Sequence, residues 1–200
     1  MLRMMGWYKL GWYYLPLVFV LEETLPSWTG VENGLIENIQ MLVLGLCWWY
    51  CSKLPEKLNI GDWGGDKQAL GLAGQLFFFL LIMREINWGR AFFWHADGTM
   101  YSYAELGLYG AMVHPMVAIL IVVLLYLLYK CKIWRLLQAT GFNITTVVLL
   151  GIYVVVQWLA EHGLGFFHGE VGEELAELGA YMVMYHMMEE IVSCWRNKNS

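Results

Sequence analysis

The chain predicts an all-α membrane protein: a single domain over residues 1–200, built as a bundle of six transmembrane helices with both termini cytoplasmic. Three observations carry that prediction. Of the 200 residues, 59% are hydrophobic and only 14% charged, which is too apolar for a soluble domain of this size. Mean hydropathy is +0.50, and apolar runs recur six times along the chain. Basic residues gather on one side of those runs.

The first run covers 6–21 and is short and interrupted by Pro16. It follows Lys9 but leads into Glu22-Glu23 with no A-x-A site, so it reads as a retained helix rather than a cleaved signal. The second run is 35–50, entered through the polar stretch VENGLIENIQ. The third is 69–83, the fourth 106–129, the fifth 144–160 and the sixth 175–192. A spanning helix needs ~20 residues, which the first and third runs reach only with their flanks, so a five-span bundle is the alternative. Eleven Trp and twelve Tyr supply rings suited to the headgroup level.

Charge sets the orientation. With the N-terminus inside, Arg3, Lys9, Lys53, Lys57, Lys67, Lys130, Lys132, Arg135, Arg196 and Lys198 are cytoplasmic, and only Arg84 and Arg90 lie outside. Most acids, and four of the five histidines, fall on the outer side. The four cysteines fall on the inner side, as reduced thiols facing a cytoplasm would. Cys47 and Cys51 have helical spacing and read as small buried residues. A net charge of −5 leaves no basic surface for nucleic acid. No P-loop, G-x-S-x-G, Rossmann glycine pattern or c-type haem motif occurs.

Charged residues beside a membrane-length run are costly unless paired, so they default to a site. The stretch 81–95, LIMREINWGRAFFWH, is the densest case. Arg84 and Glu85 are adjacent and point about 100° apart on a helix, so they cannot share one partner on it. Arg84 reads either as a structural clamp to a carboxylate or as the holder of an anionic substrate group. In the second run Asn33, Glu37 and Gln40 share one helical face. Ser102 and Glu105 fit a capping box, and His114 precedes Pro115, which removes a helical donor and makes a polar notch.

The fifth run leaves through Gln157, Glu161 and His162, and His168 follows. Glu173 and Glu174 suit a helix N-terminus, but Glu177 lies deeper than the helix dipole explains. Met182, Met184, His186, Met187 and Met188 spread around their helix and read as packing rather than a copper site. The candidate catalytic residues are therefore Glu37, Arg84, Glu85 and Glu177. The candidate metal ligands are His114, His162, His168 and Glu177, a mix that suits a divalent transition metal, Zn, Fe or Mn.

The segment Arg84-Glu85-Ile86-Asn87-Trp88-Gly89-Arg90 resembles an R/E-E-I-S-W-G-Q/R type motif in a loose set of uncharacterised bacterial polytopic membrane proteins. Asn87 stands where that motif has Ser. The acidic stretch 31–38 and the later 173–181 are also similar. The resemblance implies a multi-helix membrane fold whose acids belong together, and it transfers no activity.

The functional expectation is an integral protein of a bacterial inner (plasma) membrane. Its carboxylate- and His-rich pocket would open to the non-cytoplasmic side and serve metal-assisted chemistry on a lipid or other amphiphile. The alternatives are a cation or proton transporter or channel, and a structural or assembly subunit. Partners would be membrane lipids, a second copy of the chain or a membrane complex, with no nucleic acid.

Overall fold

In the computed structural model, which describes residues 7–30, 34–57, 64–140, 144–164 and 170–198, each apolar run becomes a helix. In chain order these are α1 (Trp7–Thr24), α2 (Leu35–Lys57), α3 (Lys67–Glu85), α4 (Leu108–Lys130), α5 (Ile133–Thr140), α6 (Ile144–Glu161) and α7 (Glu170–Lys198). Two 3-10 segments, Ser27–Thr29 and Asn87–Phe92, follow α1 and α3. The described residues contain no β-strand, only an isolated antiparallel bridge between Trp94 and Met100.

Among the described residues three helices, not the six expected, are long and apolar enough to cross a membrane: α3, α4 and α6. The reason is charge placement. Eighteen-residue α1 carries Lys9, Glu22 and Glu23. In α2, Glu37, Asn38 and Gln40 dilute the start and Lys53, Glu56 and Lys57 the end. In α7 the uncharged run between Glu177 and Glu189 is about 17 Å long, short of the ~30 Å hydrocarbon core.

The chain forms two compact units. One combines residues 1–43 with 140–200, and the other comprises 44–139. The start of α2 belongs to the first and its remainder to the second.

In the first unit α7 packs chiefly on α6 and α1. Tyr153 of α6 is fully buried, and its hydroxyl donates to the carbonyl of Gly11 at 2.6 Å. Gly179 of α7 meets that ring face with no side chain of its own, and a Cβ there would overlap Tyr153. Small residues let helix backbones approach closely, which is how helices associate when lipid removes the hydrophobic incentive. Val18, Leu149, Leu175 and Ala176 fill the space around this contact. Gly172, in the first turn of α7, leaves room for the Glu22 carboxylate, which suits the positive end of the helix dipole.

In the second unit α3 and α4 run antiparallel. Asp66 caps α3 by accepting from the amides of Gln68 (2.9 Å) and Ala69 (3.1 Å), and Lys130 at the end of α4 reaches the same carboxylate at 2.8 Å. Chiefly through Lys130, these contacts hold the Asp66 carboxyl below its usual range. Gly71 and Gly74 of α3 lie against Pro55 and Cys51 of α2. The surface of α4 is almost wholly exposed, as a helix facing lipid requires. It runs through Pro115 as one helix.

The expected capping box forms: the Ser102 amide and hydroxyl both donate to Glu105 (2.7 and 2.6 Å), and the Glu105 amide returns to the Ser102 hydroxyl at 3.4 Å. It closes a turn rather than starting α4, which begins after Gly107 in a left-handed conformation (φ 58°).

Candidate cation site

In the first unit three helices bring acids and amides together. Glu174 and Glu177 stand three residues apart on α7, so both project from one face. Their carboxylate oxygens approach within 4.8 Å. Glu177 is 3% exposed. Gln40 of α2 is completely buried, and its Nε2 donates both to the Glu174 carbonyl and to its carboxylate, each at 2.7 Å. Gln157 of α6 donates to the Glu177 carboxylate. Glu37, one turn before Gln40, is also buried. The Tyr14 hydroxyl of α1 donates to the Leu175 carbonyl at 3.3 Å, fixing α7 between the two acids.

With both of its Nε2 bonds made, Gln40 leaves Oε1 buried and with no hydrogen-bond partner among the described residues. A buried acceptor without a donor costs roughly 1–3 kcal/mol. A bound cation supplies the partner that this oxygen lacks. The donor atoms are all oxygens, the chemistry of a hard cation such as Mg2+, Ca2+ or Mn2+.

A second polar cluster lies deeper on α7. His186 Nε2 is 3.2 Å from Glu190 Oε1, close enough for an ion pair but off the angle of a hydrogen bond. Thr146 of α6 donates to the other Glu190 oxygen at 3.1 Å. His186 Nδ1 is buried and has no hydrogen-bond partner among the described residues.

The motif 84–90 lies in the second unit. Glu85 is buried at the end of α3, with exposed Arg84 3.8 Å from its carboxylate. The backbone then turns left-handed at three successive residues, Asn87 (φ 47°), Trp88 (φ 54°) and Gly89 (φ 82°). Such values are uncommon outside glycine. Two tyrosine hydroxyls hold the turn: Tyr103 donates to the Asn87 carbonyl at 3.0 Å, and Tyr109 to that of Trp88. The Arg90 guanidinium lies over the Tyr103 ring, 5.1 Å from its centre. Beyond it, His95 stacks on Tyr101 at 3.8 Å and sits 3.5 Å from Glu105. The bonds from Ser102 keep the Glu105 carboxyl below its ordinary range.

Among the described residues, Glu177 alone of the expected metal ligands belongs to the carboxylate–amide cluster. His162 is exposed, with Nδ1 on the Trp158 carbonyl at 2.8 Å. His114 is in the second unit, exposed and edge-on to Tyr103. His168 lies outside the described residues, as does Asn33. Of the expected catalytic residues, Glu37 and Glu177 fall in the first unit, and Arg84 and Glu85 in the second. Sequence reasoning passed over Glu174, Gln40 and Gln157 as site residues. The available signal was the recurrence of amides three or four residues from acids, at Glu37 and Gln40 and again at Gln157 and Glu161.

No protein-family model, curated protein or solved structure matches the chain.

Proposed function

We propose that the protein is an integral protein of a bacterial inner membrane that binds a hard divalent cation through Glu174, Glu177 and the Oε1 of Gln40, and uses it for metal-assisted chemistry on a lipid or other amphiphile. The observation that carries this reading is the orphaned acceptor of Gln40, whose amide is bonded to Glu174, a carboxylate within 4.8 Å of that of Glu177. Of the metals expected from the sequence, Mn2+ suits an all-oxygen set, and Zn2+ and Fe2+ suit it less. When bound, such an ion polarises a carbonyl or phosphoryl oxygen or activates water. The chain's own contribution is orientation. Gln157 holds the Glu177 carboxylate, and Gln40 holds that of Glu174. The basic bias of the sequence supports assigning this end of α6 and α7 to the non-cytoplasmic side.

The test is elemental analysis of protein purified in detergent and incubated with Mn2+ or Mg2+, wild type against Glu177→Gln. One ion per chain, lost in the variant, supports the reading and directs assays to lipid ester and phosphoester substrates. No ion in either sample sinks it.

A second reading, a proton or cation path, is favoured by the Thr146–His186–Glu190 cluster. It gives α7 a second buried polar station about 14 Å from Glu177 along the helix. Intramembrane acids mark conduction paths as readily as catalysis. Proton flux in liposomes that falls in both Glu177→Gln and His186→Leu selects this reading over the first.

A further inference from the structure

The end of α4 and the start of α5 carry features the cation site does not use. Lys132 sits at the break between these helices in a left-handed conformation (φ 50°), which turns the chain sharply. One face of this corner is buried through Cys131 and Leu136. The other face exposes Lys132, Trp134 (70%) and Arg135, next to Tyr129 (82%). Both cationic heads turn to one spot beside Gly64. Lys132 Nζ and Arg135 Nη1 lie 3.5 and 3.9 Å from the position that a Cβ on Gly64 would take.

Two like charges so placed repel each other unless an anion lies between them. Neither has an ion-pair partner among the described residues, and the nearby Asp66 is engaged by Lys130. The position is equally specific. The cations follow directly on α4, whose apolar surface is open to lipid over nearly its whole length. Exposed Trp and Tyr beside Lys and Arg, just past a spanning helix, mark the headgroup level.

We propose that Lys132 and Arg135, with Trp134 and Tyr129 as the flanking rings, form a docking site for the phosphate of an anionic phospholipid in the leaflet at the C-terminal end of α4. The arginine fork and the lysine point charge bind phosphate oxygens, and the rings bracket the acyl–headgroup boundary. The site depends on α4 crossing the bilayer, as in the reading above, but not on the cation cluster of the first unit.

The full chain in dodecyl maltoside is titrated with phosphatidylglycerol, phosphatidylcholine or inorganic phosphate, and adducts are read by native mass spectrometry. The expected result is one phosphatidylglycerol retained preferentially over phosphatidylcholine. Lys132→Gln with Arg135→Gln weakens that retention about tenfold and leaves phosphatidylcholine adducts unchanged. The charge-keeping pair Lys132→Arg with Arg135→Lys restores it, and Lys53→Gln with Lys57→Gln behaves as wild type. Equal retention of the two lipids by the wild type overturns the proposal. So does undiminished phosphatidylglycerol binding in the double glutamine variant, or displacement of the lipid by millimolar phosphate. Extraction of the chain from membranes by alkaline carbonate removes the spanning role of α4, whereas loss of Mn2+ binding alone leaves this site standing.

Discussion

The two units differ in how much of their polar chemistry they bury. The first buries it: Glu37, Gln40 and Glu177 are under 10% exposed, among helices that meet through Gly179 and Tyr153. The second buries Glu85 at the end of α3 but keeps other pairs at the surface, with Lys130 on Asp66 and His95 beside Glu105. Surface pairs contribute little and mainly fix geometry. A buried carboxylate is tolerated only with partners, and those present here leave an acceptor over. The contrast teaches that the site is to be sought where apolar packing is tightest, not where charged residues are densest in sequence.

The largest expected effect breaks the packing of the first unit. Gly179→Ala places a methyl group against the Tyr153 ring. It should cost about 1–3 kcal/mol, read as a lowered melting temperature in detergent. Gly151→Ala is the control. That position has open space around it, so the same substitution should leave stability unchanged or slightly raised. Equal losses at the two sites would remove the close contact from the account.

Next in size is the ion dependence of stability. Mn2+ at 100 times its dissociation constant should stabilise the wild type by about 2.7 kcal/mol. Gln40→Leu, which removes the spare acceptor and the bond to Glu174, should weaken Mn2+ affinity about 10–100-fold. A melting temperature that responds to Mn2+ equally in both proteins would show the ion binding elsewhere.

Tyr153→Phe removes only the hydroxyl that donates to Gly11. About 1 kcal/mol should be lost, with Mn2+ binding unchanged. A loss of Mn2+ binding in this variant would mean that the core and the cation site are not separable.

The smallest effect sharpens the second unit. The carboxyls of Asp66 and Glu105 are held below their ordinary range in the folded chain. Their contribution is therefore complete above pH ~4, the unfolded value, and fades as pH falls through the lowered folded values. Asp66→Asn should flatten part of the fall in melting temperature below pH 4. An acid limb of unchanged steepness would assign it to other carboxyls.

Helix existence was legible because the six apolar runs are long, and each lies within a helix or within a residue or so of one. The number of spans was overread, because the charged and amide residues that dilute α1, α2 and α7 sit at or inside the ends of their apolar runs and were set aside as flanks. α7 reads as a span although Glu177 is buried within its own unit and Glu189 and Glu190 follow about three turns later. Helix α5 went unseen because it is only eight residues long and follows a left-handed lysine that no periodicity announces. At the candidate site, Glu177 stood out because its depth exceeded what a helix dipole explains. Gln40 and Gln157 did not, because a neutral amide carries no charge penalty to flag it, and its value lies in partners far along the chain.

The most direct test of the central claim is a Mn2+ titration followed by electron paramagnetic resonance, with the protein in nanodiscs. The account predicts one bound Mn2+ per wild-type chain and none in Glu177→Gln. An identical bound signal in that variant, or no bound signal in the wild type, would contradict it.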